Sequence, residues 1–538
     1  MARNNRVDVC IIGSGAGGGV VAKELAERGM SVVVLEAGKR FKPIEDYGGG
    51  REDWERAGME IGQDHFSLPS MDKMTFGSPG LTCRPDMTMG VGGGTLKYLA
   101  YVPRFRPDDF RVRTLDGVGA DWPISYEDLA LYYRRVEMEL GVSGNRGDPW
   151  HPPAEPYPNP AFEISYANKI MKRGCDRLGI RTWPVPSARL SRPWGGRPAC
   201  IQCGECVNGC MTRSKSSIDV TYIAKAEATG RVDIRTRCVV TRIETDAGGR
   251  AKAVVYSDKD RVEHAQEADV IVVSAGTFFS PRVLLNSKSS LFPDGLANSS
   301  GIVGKYFMQH LSYMCRAVFD DRMDSFRGFF GGAISKDFAE TSPRNGFARG
   351  WALEFNSGVR GPVEMALSLP GWGAAHKKKM KSIFGHVAGM VAFGEQLPDE
   401  RNRIELDPDV VDDYGMPVAR LFMEPRENDR KMLKAIEKSV KDVCEAAGAR
   451  EMLTLDYVQG SSSHNMGTCR MGSDPRTSVV NGYCQAHDVP NLFVIDASCF
   501  VTGGTANPAL TIMAIATRAA HYIAEQGKKG NLSTRAAR

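Results

Sequence analysis

Between Val7 and Glu36 the chain runs apolar strand, glycine turn, helix, second strand, acidic residue, which is the order of a dinucleotide-binding βαβ unit. Val7-Asp8-Val9-Cys10-Ile11-Ile12 reads as a short buried strand. Gly13-Ser14-Gly15-Ala16-Gly17-Gly18 follows, then a helical Val20 to Glu27, then Ser31-Val32-Val33-Val34-Leu35 ending on Glu36. Each part has its own reason in such a site. Gly13 permits the tight turn, Gly15 lets the backbone approach a pyrophosphate, and Gly18 lets helix pack closely on strand. The helix N-terminus offers free N–H groups to the phosphates, and Glu36 can accept from ribose hydroxyls. In a chain with 58 glycines a glycine triplet alone is weak; the complete order carries the reading.

A matching element lies at the far end of the chain. Asn491-Leu492-Phe493-Val494-Ile495 reads as a buried strand whose carboxyl end presents Asp496 to a ligand. Asn507-Pro508 reads as a helix start, with Asn as cap and Pro in the first helical position, continuing through Ala509 to Ala516. Such a helix aims N–H groups and partial positive charge at whatever precedes it, which suits a reduced flavin. A nucleotide fold completed from both chain ends favours FAD over a nicotinamide cofactor held in one continuous stretch.

The 538 residues, 42% hydrophobic and 25% charged, suffice for two cored domains. The net charge of +5 is spread along the chain, and its densest basic run, Lys377-Lys378-Lys379, reads as a solvated loop, so no nucleic-acid partner is expected. No stretch approaches the roughly 18 apolar residues of a membrane span. Thirteen cysteines, an odd number, argue against a complete disulfide framework.

Together these features resemble the glucose–methanol–choline family of flavin oxidoreductases. Gly90-Val91-Gly92-Gly93-Gly94-Thr95 resembles its flavin-contacting loop, Ser274-Ala275-Gly276-Thr277 through Leu285 its second signature, and Gly304-Lys305-Tyr306-Phe307-Met308-Gln309-His310 a segment near the flavin. The resemblance implies cofactor contacts at Gly93, Gly94, Thr95, Val240, Ala275, Asp496, Ala497, Asn507 and Pro508, beside Gly13, Gly15, Gly18 and Glu36. Some relatives attach FAD through a histidine near the glycine loop; Thr95-Leu96-Lys97-Tyr98 supplies none, so non-covalent FAD is expected. The family's catalytic histidine falls on His464, a suitable base for a hydroxyl proton, and its second position on Asn507, which would orient the same oxygen. His310 is read as packing.

Cys200, Cys203, Cys206 and Cys210 form a CxxCxxCxxxC run like that of bacterial ferredoxins, with Met211 where proline usually follows. Soft thiolates at this spacing suit an iron–sulfur cluster, 3Fe–4S or 4Fe–4S; structural zinc and plain or disulfide-linked cysteines are the alternatives. Asp121-Trp122-Pro123-Ile124-Ser125-Tyr126-Glu127-Asp128-Leu129 resembles the catalytic subunits of bacterial FAD-dependent sugar dehydrogenases. That resemblance implies oxidation of a sugar or glycoside CH–OH, electrons leaving through a cluster to a cytochrome, and a small partner subunit. An oxygen-using alcohol or sterol oxidase, and a non-redox FAD lyase of the same fold, are the rival readings. With no leader evident the cytoplasm is expected, or the periplasm if a signal-bearing partner carries the folded chain.

The expected architecture is α/β. A discontinuous Rossmann-like FAD-binding domain takes residues 1–110, 215–317 and 458–538, with a βαβ continuation from Asp233 to Ser287. A cap segment with the cysteine loop takes 111–214. An α+β substrate domain on an antiparallel sheet takes 318–457.

Overall fold

In the computed structural model, which describes residues 6–47, 74–78, 81, 87–328, 332–356, 361–457 and 462–532, three sheets organise the chain. The first has the strand order Val232–Thr236, Val32–Glu36, Arg6–Ile12, Glu263–Val273, Ala251–Ser257, Val239–Thr245. Leu492–Val494 pairs in parallel with the last three residues of Glu263–Val273. Val9 to Ile12 and Val32 to Leu35 are all buried, as parallel strands covered on both faces must be. Helix Gly18–Ala26 packs against the carboxyl-terminal helix Ala509–Lys528, so the two chain ends build one domain.

The Asp233–Ser287 segment differs from the βαβ expectation. Val239–Thr245, Ala251–Ser257 and Glu263–Val273 form an antiparallel meander, and a helix, Gly276–Asn286, follows only the last of them. Two short turns connect these strands, leaving no chain for a crossover helix.

The second sheet is antiparallel, in the order Glu451–Tyr457, Met308–Val318, Val387–Glu395, Trp351–Asn356, Ala333–Phe338, Trp183–Pro184. Met308–Val318, placed up to residue 317 in the nucleotide domain by the sequence reading, is an inner strand of this sheet. Arg403–Val411 leaves it, pairing instead with Pro417–Phe422 in a sheet of three completed by Met74–Phe76. Helices Glu427–Ala447 and Tyr166–Arg177 cover the back of the second sheet through Met432, Ile436, Val440, Ile170 and Met171.

The 111–214 segment forms no layer of its own. Helix Tyr126–Leu140, started by a reciprocal Ser125–Asp128 capping box, buries Leu129, Tyr133, Val136 and Leu140 in the first core. Its Tyr133 hydroxyl meets Thr511 Oγ1 of the carboxyl-terminal helix at 2.8 Å. Helix Tyr166–Arg177 joins the second core. A buried ion cluster links the parts: Arg349 reaches Asp109 at 2.6 Å, Glu395 at 2.7 Å and Asp116 at 3.1 Å.

Candidate active site

One cavity of about 630 Å³ runs from the amino-terminal glycine turn to His464 and Asn507. At the nucleotide end Gly13 has φ +94°, and a Cβ there would lie 2.4 Å from the Ser274 carbonyl oxygen. A Cβ on Gly18 would lie 2.0 Å from the Gly13 oxygen, so this glycine serves helix–strand contact and does not face the cavity. Gly15 and Gly93 face each other backbone to backbone: a Cβ on Gly93 would come within 2.9 Å of Gly15 Cα. Glu36 accepts from Ser14 N and Oγ at 3.0 and 2.6 Å, and from Gly38 N and Gly90 N at 2.9 and 3.1 Å. These bonds hold its carboxylate at the cavity wall.

Gly94, Thr95, Val240, Ala275, Asp496, Ala497, Asn507 and Pro508 also line the cavity. Two of them are committed to the fold. Thr95 Oγ1 donates to Gly92 O and accepts from Ile218 N, while Asp496 accepts from the N–H groups of Gly276 and Ser498 and from the Ser280 hydroxyl. Pro508 is already helical, at φ −76° and ψ −14°, and the helix begins at the cavity wall as expected. Asn507 does not cap it: no side-chain capping bond forms, because the amide turns to His464, Nδ2 to Nε2 at 3.3 Å.

His310, read from sequence as packing, is the neighbour that organises this end. Its Nδ1 lies 2.9 Å from His464 Nδ1, and its Nε2 lies 3.2 and 3.0 Å from the carbonyl oxygens of Gly503 and Gly504. Carbonyls only accept, so His310 Nε2 carries a proton; burial pushes its imidazole down to about 4, so the ring is neutral and its Nδ1 is an acceptor. His464 Nδ1 must then be the N–H donor, which leaves the lone pair on His464 Nε2, the nitrogen beside Asn507. Burial, reinforced by His310, holds His464 well below the usual imidazole value. Phe393 packs against both rings, at 4.8 Å from His464 and 5.7 Å from His310.

The strand Asn465–Met466 pairs with Gln309 and Met308, and this register brings His310 to His464. Glu354 was also missed: it is buried and lines the cavity together with Asn507. Burial pushes Glu354 up to about 8. Lys336, behind it, is pushed down by burial to about 8 and donates to Arg104 O at 2.9 Å.

Cys200, Cys203, Cys206 and Cys210 converge on one small cavity of about 20 Å³. Among the described residues, no group of three or more His, Cys, Asp or Glu is arranged to hold a metal ion, so the geometry shows neither a zinc site nor an iron–sulfur cluster. Every described cysteine is a free thiol, which removes the disulfide alternative for these four; Cys83 lies outside the described residues. Backbone N–H groups of Gln202 and Lys215 point at the Cys200 and Cys210 sulfurs at 3.3 and 3.4 Å, and Arg189 Nη1 points at Cys206 Sγ at 3.6 Å. Arg189 and Lys215 line the same small cavity and are both buried. Val207, next to Cys206, lines the large cavity, so the cysteine loop touches both.

Comparison with known proteins places this arrangement. The GMC oxidoreductase family matches over residues 112–312 and again over 398–516, and a NAD(P)-binding Rossmann-like domain matches over 11–43. The chain is 36% identical to 2-methyl-1,2-propanediol dehydrogenase of Mycolicibacterium austroafricanum, covering 97% of this chain and 96% of that protein. It is 30% identical to the fructose dehydrogenase large subunit of Gluconobacter japonicus, covering 97% and 98%. Pyridoxine 4-oxidase from Mesorbium loti shares the fold, with a TM-score of 0.66 at 18% identity over 96% of this chain and 99% of that one. Identity sustained across nearly the whole length, with both halves of the family present in order, has one meaning: the chain belongs to the FAD-dependent GMC oxidoreductases.

Proposed function

We propose that the protein is a dehydrogenase that oxidises the CH–OH group of a sugar, a glycoside or a small diol, and passes electrons through an iron–sulfur cluster to a cytochrome or another acceptor. The observation that carries the reading is the alignment of His310, His464 and Asn507 at the end of a nucleotide-shaped cavity. FAD fits the residues present. Gly13, Gly15, Gly93 and Gly94 bring bare backbone to the cavity wall, and the buried Asn465 Oδ1 and Asn507 Oδ1, without partners, can accept from ligand N–H or O–H groups. When bound, FAD supplies the acceptor for the substrate hydride.

The chain's own residues handle the proton. A substrate hydroxyl between His464 and Asn507 donates to His464 Nε2 and accepts from Asn507 Nδ2. A base held so low is weak towards a resting alcohol; it suits a proton that becomes acidic only as the carbon gives up its hydride. The imidazolium formed keeps its Nδ1–H on His310, which fixes the orientation of the ring. Phe393 against both rings limits water at the base.

Four cysteines around one small cavity, at a spacing like that of ferredoxins, support a cluster there. Cys200, Cys203, Cys206 and Cys210 would hold it, and such a group carries single electrons. The N–H groups aimed at Cys200 and Cys210, with Arg189 and Lys215 nearby, favour anionic sulfur, against the burial that raises Cys200 and Cys203. Similarity to a fructose dehydrogenase large subunit supports a small partner subunit. The test is anaerobic: diols or sugars are expected to bleach the bound flavin, and the purified protein to contain iron and give a cluster signal in electron paramagnetic resonance. Peroxide formed in air with no dye reduction would reject the dehydrogenase, and absence of iron would reject the cluster.

A further inference from the structure

Helices Pro362–Ser368 and Gly373–Ile383 stand together at one end of the second sheet, joined by Leu369-Pro370-Gly371-Trp372. Their base has a small apolar core of its own, in which Met365 and Ile383 pack with Val318 and Val387, at the ends of two strands of that sheet. Their tip is bare. Leu367 is 64% and Trp372 90% exposed, and Pro370, Ala374 and Ala375 beside them are exposed too. Trp372 is extended backbone between Gly371 at φ +96° and Gly373 at φ +75°, and a Cβ on either glycine would meet nothing within 4 Å. The Lys377-Lys378-Lys379 run, read from sequence as a loop, lies on the helix that follows. Ala374, Lys377, Lys378 and Lys381 recur at helical spacing and form its exposed face, while Met380 and Ile383 turn to the small core. Lys379 pairs with Glu451 at 2.5 Å; Lys377, Lys378 and Lys381 make no ion pair among the described residues. From Met365 to Gly394 the chain has four lysines and no Asp or Glu.

We infer that this tip docks the protein on an anionic lipid surface, with Trp372 and Leu367 at the boundary between headgroups and acyl chains and Lys377, Lys378 and Lys381 against the phosphates. The shape favours lipid over a protein partner. A convex tip with open space around its glycines needs a matching hollow in a protein, whereas a bilayer closes around it. An indole suits a boundary that is apolar on one side and wet on the other. At 1.5 Å per residue, Lys377 and Lys378 stand about 8 Å along the helix from the Trp372 end, within the depth that separates phosphates from acyl chains. Positive charge with no acid interspersed selects negative headgroups. No described helix is long and apolar enough to cross a membrane, so the attachment is peripheral. The inference stands apart from the dehydrogenase reading, because no residue of the tip lines the large cavity.

The test is co-sedimentation of the holoenzyme with vesicles of phosphatidylcholine, either alone or mixed with an equal part of phosphatidylglycerol. The wild type is expected to bind the mixed vesicles and to be released by high salt. Trp372→Ser should weaken that binding by about tenfold or more. Replacing the three lysines together, Lys377→Gln, Lys378→Gln and Lys381→Gln, should weaken it by about 100-fold. Flavin content and anaerobic flavin reduction should stay as in wild type in both variants, which controls for folding. Failure of the wild type to bind the mixed vesicles overturns the proposal, as does binding that Trp372→Ser leaves unchanged. Equal binding to phosphatidylcholine alone removes the lysines from the account and overturns it as well. Self-association of the wild type in sedimentation velocity, lost in Trp372→Ser and without vesicle binding, makes the tip a contact between copies and overturns the lipid assignment.

Discussion

His310 and His464 meet nitrogen to nitrogen, Nδ1 to Nδ1 at 2.9 Å, with their rings perpendicular. Because the other His310 nitrogen faces two carbonyls, only one arrangement of protons satisfies both rings, and it leaves His464 Nε2 free to accept. His464→Ala is therefore expected to slow flavin reduction by about 10²–10⁴-fold. His310→Phe removes the acceptor that sets the tautomer and also the neighbour that helps depress His464. Its reduction rate should fall, and the acidic limb of its pH profile should move to higher pH. A profile unchanged from wild type in stopped-flow measurements would leave His310 with no part in positioning.

The low imidazole value of His310 also bears on stability. A group near 4 when folded and 6.5 when unfolded binds protons more readily in the unfolded chain between those values. Its contribution is intact above pH 6.5 and is lost progressively as pH falls towards 4, by roughly 3 kcal/mol in all. His464, depressed for the same reason, adds to the loss. Chemical unfolding followed across that range checks the direction, and His310→Phe should flatten it.

The cysteine pocket makes a separate prediction. Cys206→Ser should yield protein that keeps its flavin but loses iron and the cluster signal. Lys215 is buried and hydrogen-bonded to the carbonyls of Leu96, Tyr98 and Cys206, so its charge favours added electrons nearby. Lys215→Met should shift the cluster potential to more negative values in a redox titration. A potential that does not move would place the cluster elsewhere.

Arg349 is fully buried with three carboxylates around it. Removing one partner of such a cluster strands buried charge, so Arg349→Met should cost about 3–5 kcal/mol in chemical unfolding. Asp109, one of the three, lies against the Gly504 backbone, where a Cβ would sit 3.0 Å from its Oδ2. Loss of Arg349 should therefore also disturb the carbonyls that orient His310, read as slower flavin reduction in the protein that still folds.

What the sequence by itself determined is whatever depends on neighbours in the chain. The turn from Gly13 to Gly18, the acid at Glu36, the helix start at Pro508 and the spacing from Cys200 to Cys210 are all properties of short segments, so they were legible. Tertiary structure alone decided which distant residues meet. His310 and His464 are 154 positions apart, and the pairing of Asn465–Met466 with Met308 and Gln309 joins them. Glu354 became part of the site through strand alternation in a sheet whose order no local pattern specifies. The cap segment was divided between two cores for the same reason: an amphipathic helix shows that it has an apolar face, but the surface waiting for that face is set by the rest of the fold.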